Sequence, residues 1–151
     1  MSDGRTGGVL VDDHLLLPVL LGREPAALRP DGGPLATTGL WYHRLCRALA
    51  DTTVTAAMSR RLGEAPAGVA AASVQAVLDL PDAVELVSLR DLAPPMALLV
   101  ADGVHLNLLS LEAVAAAEHL GAEIVLAETD ENPTLLAACR DRDIPHRLLA
   151  A

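Results

Sequence analysis

At 151 residues the chain has the length of one domain, enough to bury roughly 68–70% of its unfolded surface without a disulfide or metal staple. The net charge is −9 and all 11 basic side chains are arginine, so bulk electrostatics cannot hold a phosphate backbone. Any nucleic-acid contact has to come from a local arginine patch, a metal ion or a partner.

One Trp, one Tyr and no Phe leave few platforms for stacking bases, and the core has to be built from Leu, Val, Ala and Ile. Cys46 and Cys139 fit no metal or redox spacing, so two reduced thiols are expected. The apolar stretch Leu15–Leu21 is interrupted by Pro18 and is too short for a membrane span. It also lacks the flanks of a signal peptide, so a cytoplasmic protein with no membrane partner is expected.

Residues 1–7 are small and polar and read as a disordered N-terminus, leaving 8–151 as one domain. Gly8–Asp12 reads as a buried parallel strand because it is continuously apolar up to its acids. Leu15–Leu21 follows as a helix ending near Gly22. Arg23–Pro34, rich in Pro and Gly, is a loop. Leu35–Thr38 is a short extended entry to a helix over Gly39–Ala50, in which Trp41 packs on the core and Tyr42 is half exposed. Thr52–Leu62 reads as a helix ending in Arg60-Arg61 and capped by Gly63. Ala67–Leu78 is a strongly apolar helix that Pro81 terminates.

Val84–Leu89 is a β-rich run, and Asp91–Ala101 is helical. Ser110–Leu120 is the clearest helix, with Ser110 as its cap and Gly121 past its end. Glu123–Ala127 is the next strand. Asn132 caps and Pro133 opens a last helix that runs to about Arg142. Ile144–Leu149 is the final strand. Strands alternating with helices predict a three-layer α/β/α fold around a parallel sheet.

In such sheets ligands bind beyond the carboxyl ends of the strands. Asp12-Asp13 follow the first strand, Glu128 and Asp130 follow the strand at Glu123–Ala127, and Glu112 sits in the first turn of the Ser110–Leu120 helix. Two carboxylates 4 Å apart repel by about 4 kcal/mol at an effective dielectric of 20. A cluster of them needs a divalent cation, a proton or an arginine. Hard oxygen ligands suit Mg²⁺ or Mn²⁺, and such an ion activates water for attack on a phosphodiester. Each acid also has a plainer reading, as a helix cap or as a match to a helix dipole.

VLVDDHLLLPVLL resembles the opening strand and helix of PIN-domain nucleases, in which an Asp ends the first strand and a His, Asn or Ser lies two residues on. LNLLSLEAVAAAEHLGAEIVLAETDENPTL is similar to the later segment of that family, and IPHRLL to its closing strand. The resemblance covers both ends of the chain, and the middle matches only in its helical character. It implies a PIN-like fold and a Mg²⁺- or Mn²⁺-dependent ribonuclease, often the toxin of a toxin–antitoxin pair, with cleavage by metal-activated water leaving 5′-phosphates. It assigns Asp12, Glu112 and Asp130 to the catalytic and metal-binding set, adds Glu128 where Thr or Ser is usual, and leaves Asp13 free to vary. RNA, an antitoxin protein and a second copy of the chain are the partners implied.

One departure stands out. The family pattern has a Glu about five residues after a hydroxyl residue; TTGLWYHRL has Thr38 and then His43, with no acid between Asp31 and Asp51. His43 is a substitute ligand, a general base or a surface histidine. Thr38, His43 and Arg44 are the candidate substrate contacts. The missing acid also supports a second expectation, a catalytically degenerate PIN-like interaction or regulatory domain. VLVDDHLLL is similar, too, to the start of response-regulator receiver domains. That pattern requires an Asp after the third strand and a Lys after the fifth, and this chain contains no Lys.

Overall fold

The computed structural model describes residues 7–50, 74–130 and 132–150. The expected helices over Thr52–Leu62 and most of Ala67–Leu78, and the expected disorder at residues 1–6, lie outside that range. Strands β1 (Val9–Val11), β2 (Leu35–Thr38), β3 (Val84–Val87), β4 (Glu123–Ala127) and β5 (His146–Leu149) form one sheet, paired in parallel throughout, in the order β3-β2-β1-β4-β5. Helices α1 (Asp13–Leu20), α2 (Gly39–Ala50), α3 (Leu89–Ala101), α4 (Leu108–Leu120) and α5 (Pro133–Asp141) cover it, and residues 74–78 are also helical. This is the three-layer α/β/α architecture the alternation predicts.

Two apolar layers follow from the period of the strands. Val9 and Val11 of β1, with Val125 and Ala127 of β4, face Leu15 and Leu16 of α1 and Leu45 and Leu49 of α2. Leu10, Ile124 and Leu126 point the other way, onto Leu92, Met96 and Leu99 of α3, the alanine-rich α4, and Leu135 and Leu136 of α5. Residues Leu111–Ala117 of α4 are buried without a break, all of them apolar except Glu112. Its small side chains admit α3 and α5 on its flanks. Trp41 is buried in the α3–α5 layer and Tyr42 is half-buried, as expected.

Several helix starts differ from expectation for an identifiable reason. Asp12 accepts from Leu15 N, so α1 begins at Asp13 and not at Leu15. Ser88 accepts from Arg90 N, which ends β3 at Val87 and starts α3 at Leu89. Asn107, not Ser110, caps α4 by accepting from Ser110 N at 2.8 Å. Glu112 therefore lies in the second turn of α4. Gly121 takes the left-handed conformation (φ 63°) after α4, and Asn132-Pro133 open α5 as expected.

The chain travels from β1 outward through β2 to β3, then returns to β4 beside β1. The order of strands thus reverses between β1 and β4, and α1 and α5 leave that point on opposite faces. The crevice at such a reversal, outside the carboxyl ends of the strands, is where an α/β sheet accepts ligands.

At the opposite edge the backbone of Gly8 lies close against that of Pro34. A Cβ on Gly8 would lie 2.1 Å from the carbonyl oxygen of Pro34 and 2.8 Å from its carbonyl carbon. Both atoms are backbone, and Val9 N holds that same oxygen at 3.0 Å. Gly8→Ala therefore lowers stability by about 1–3 kcal/mol, as overpacking against an immovable group does. Urea unfolding checks this, and an unchanged midpoint contradicts it.

Candidate functional site

Asp12 is fully buried at the tip of β1. Its Oδ1 accepts from Leu15 N at 2.9 Å, in the first turn of α1, and its Oδ2 accepts from Ala127 N at 3.0 Å, at the end of β4. The carboxylate thus bridges the two sides of the reversal. Burial pushes its pKa above the ordinary 3.8, against the pull of the two backbone donors, and the neighbouring charge of Asp13 adds to the rise.

Asp13 begins α1 and is also buried. Arg44, on α2, donates Nε–H to Asp13 Oδ2 at 2.9 Å, and its NH2 group donates to Asp13 Oδ1. The same NH2 group donates to Asp130 Oδ2, in the 3₁₀ turn Glu128–Asp130 that follows β4. The partners lie 31 and 86 residues from Arg44 in sequence. These acids, Asp13 before Asp130, raise the pKa of the guanidinium beyond its already high ordinary value. His14 Nε2 stands 3.8 Å from Asp130 Oδ2. One ligating atom from each of Asp13, His14 and Asp130 falls within 4.8 Å of the others.

Glu112 occupies the neighbouring part of the same edge. Its side chain is fully buried, and its Oε1 accepts from Leu40 N at 2.9 Å, in the first turn of α2. This carboxylate therefore matches the dipole of α2 and not that of its own helix. Its Oε2, although buried, has no hydrogen-bond partner among the described residues. It lies 3.6 Å from where a Cβ on Gly39 would stand. Thr38 is likewise fully buried, and its hydroxyl accepts from Trp41 N at 3.1 Å, so it caps α2 and offers no surface to a substrate. The preceding Thr37 donates to Val11 O at 2.9 Å and ties β2 to β1 just before Asp12.

The acids singled out in the sequence are thus divided. Asp130 joins Asp13 and His14 through a shared cluster and Arg44. Asp12 is held by backbone N–H groups, and Glu112 stands at the start of α2. Glu128 and His43 are exposed, the latter on the outer side of α2. Arg44 is half-buried, with its guanidinium held on the carboxylates of Asp13 and Asp130. Asp13, which the family pattern leaves free, turns out to be Arg44's main partner. Its adjacency to Asp12 was the only sign in the sequence. No protein-family model and no curated protein matches the chain.

Asp13, His14 and Asp130 offer a group of ligand atoms that could hold a metal ion, and among the described residues one buried oxygen of Glu112 lacks a donor. Among the described residues no helix is long and apolar enough to cross a membrane.

The double acceptor role of Asp12 makes a prediction. Asp12→Asn turns one acceptor oxygen into an NH₂ facing a backbone N–H, and the unmatched buried donors cost about 1–3 kcal/mol. The gap between the two proteins is also pH-dependent. With its folded pKa raised, Asp12 contributes most below 3.8, and that contribution is lost as pH rises through the higher folded value. The stability difference between wild type and Asp12→Asn therefore narrows on going from below 3.8 upward. Urea unfolding of both proteins across that range measures it, and a gap that widens contradicts it.

Proposed function

We propose that the chain is a divalent-cation-dependent ribonuclease, PIN-like in the placement of its acids. The observation that carries the reading is the buried Oε2 of Glu112, at the carboxyl edge of the sheet, which has no hydrogen-bond partner among the described residues. A buried carboxyl oxygen without a donor costs stability, and an ion is one of the partners that can complete such a group.

In this reading Asp130, with Asp13 and His14 beside it, would hold the ion, with Asp12 and Glu112 as the further acids of the same edge and Glu128 at the rim, and Mg²⁺ or Mn²⁺ suits the carboxylate oxygens. Bound there, the ion supplies charge neutralisation and an activated water for attack on a phosphodiester. The chain's own residues prepare the place. The N–H groups of Leu15 and Ala127 lock the Asp12 carboxylate in one orientation. Leu40 N–H does the same for one oxygen of Glu112 and leaves the other free. Asp130 and Glu128 sit on a short turn that is open to solvent on one side, where a phosphate and an ion can enter. For a chain of net charge −9, the ion is also what makes a polyanion approachable.

A second reading rests on Arg44. With its guanidinium on Asp13 and Asp130, part of the acidic cluster is neutral without an ion. The acid missing near His43 agrees with this, and in that case the domain is a degenerate interaction module that works as a homodimer or with an antitoxin-like partner.

Glu112→Gln separates the readings. Gln keeps the acceptor for Leu40 N–H and removes a buried charge at nearly constant shape. The ribonuclease reading expects Mn²⁺-dependent RNA cleavage to fall at least a hundredfold while thermal stability without metal is unchanged or rises. Cleavage that persists in Glu112→Gln, or its absence from the wild type with Mn²⁺ present, removes the ribonuclease reading.

A further inference from the structure

We infer that the outer face of α3 is the surface by which two copies of this chain pair, their α3 helices antiparallel about a two-fold axis. The inference does not depend on the cation site and holds under either reading above.

From Leu92 to Ala101, α3 carries no charged, hydroxyl or amide side chain. Within that stretch only Leu92, Met96 and Leu99 are buried against the sheet layer. Ala93, Pro94, Ala97, Leu98, Val100 and Ala101 are exposed, Leu98 at 65% and Val100 at 58%. A helix that is apolar all round belongs in an interior, and the sheet covers one side of this one.

Three observations make the occupant of the other side a second copy. The first is where the chain's own ends lie. Leu49 and Val77, the described core residues on either side of 51–73, pack in the layer on the opposite face of the sheet, so the cover for α3 is sought in another molecule.

The second is charge. Two chains of net charge −9 repel, and a face with no charge at its centre is where they can meet. The charges at its two ends have opposite signs. Arg90 lies in the first turn and Asp102 at the C-cap, both exposed and equally far along the chain from Met96. An antiparallel copy turned about that midpoint brings Arg90 of each protomer toward Asp102 of the other. A parallel copy would set like charges together. Asp91 belongs to the neighbouring row of the helix, the one that leads to the buried Leu99.

The third is shape. Arg90, Pro94, Leu98 and Asp102 follow one another at the four-residue spacing of a single helix ridge. Ala93, Ala97 and Ala101 form a low row beside it. The ridge of one helix fits along the low row of another, and a two-fold axis makes that fit reciprocal. The face therefore complements itself in both shape and charge. A contact centred on one helix is at the small end of specific interfaces, below about 1,200 Å², where association is weak. The pairing is expected at micromolar concentrations.

Sedimentation velocity on the whole chain, from low to high micromolar concentration, tests this. The wild type is expected to shift from monomer toward dimer as concentration rises. Leu98→Glu is expected to raise the dissociation constant at least a hundredfold, because the substitution enters a two-fold contact twice, with thermal melting at low concentration unchanged. Arg90→Glu and Asp102→Arg are each expected to weaken association roughly tenfold. Both suit the dipole of α3, so neither weakens the helix itself. Combined in one chain they are expected to restore wild-type association. A wild type that stays monomeric throughout overturns the pairing. A dimer that persists unchanged in Leu98→Glu overturns this face as its contact, and a double variant no better than the single ones overturns the antiparallel arrangement.

Discussion

A carboxylate taken out of water has to find donors, and Asp12 finds them in two different elements. Leu15 N–H belongs to the first turn of α1 and Ala127 N–H to the last residue of β4. One side chain thereby joins the end of the central strand to both the helix that follows it and the neighbouring strand. The turn carrying Glu128 and Asp130 starts at the next residue, so its position depends on that bond. Thr37, Thr38 and Glu112 extend the same device across β2, fastening β2 to β1 and α2 to α4. The carboxyl edge is held by polar links of this kind, whereas the faces of the sheet are held by Leu, Val, Ile and Ala.

The buried acids at this edge differ in how completely they are satisfied. Asp12 has a backbone donor on each oxygen. Asp13 has a guanidinium. Among the described residues Glu112 has one donor for two oxygens. The first two arrangements explain themselves as structure: a helix cap that doubles as a strand tie, and an ion pair. The third does not, since an apolar residue of similar volume at position 112 would avoid the cost. A local conflict of that sort, inside an otherwise consistent core, is where function is to be sought.

Much of the fold was legible in the sequence because its signals are local. Continuous apolar runs such as VLV and IVLA mark buried parallel strands, and Gly121 and Asn132-Pro133 mark helix boundaries by backbone geometry alone. The misread boundary at α4 is instructive. Asn107 and Ser110 are both good caps three residues apart, and the residue already placed to accept from Ser110 N–H wins. Ser110 then accepts from Asn132 Nδ2 at 2.9 Å and so links α4 to the start of α5, a partnership 22 residues away that no local pattern encodes. The Asp13–Arg44–Asp130 group was illegible for the same reason. Its members come from α1, α2 and the turn after β4, and only the order of strands brings those three together. The sequence did indicate that clustered acids need a cation, a proton or an arginine, but not that the chain carries its own arginine for the purpose.

That arginine and a divalent ion solve one electrostatic problem in different ways. The guanidinium is tethered and planar, and its N–H groups bind carboxylates along directions set by its fork. It supports the fold through Asp13 and Asp130 and donates no hydrogen bond to the buried Oε2 of Glu112. An ion can draw oxygens from several directions at once, including one that is buried. Arg44 thus satisfies the acids at the rim and leaves unsatisfied the one beneath α2. A site built only for structural neutrality would not need Glu112, and a site built only for an ion would not need Arg44. The presence of both is most simply understood as a balance. The arginine neutralises the acids at the rim, and the oxygen of Glu112 is the part of the edge that its fork leaves to another partner.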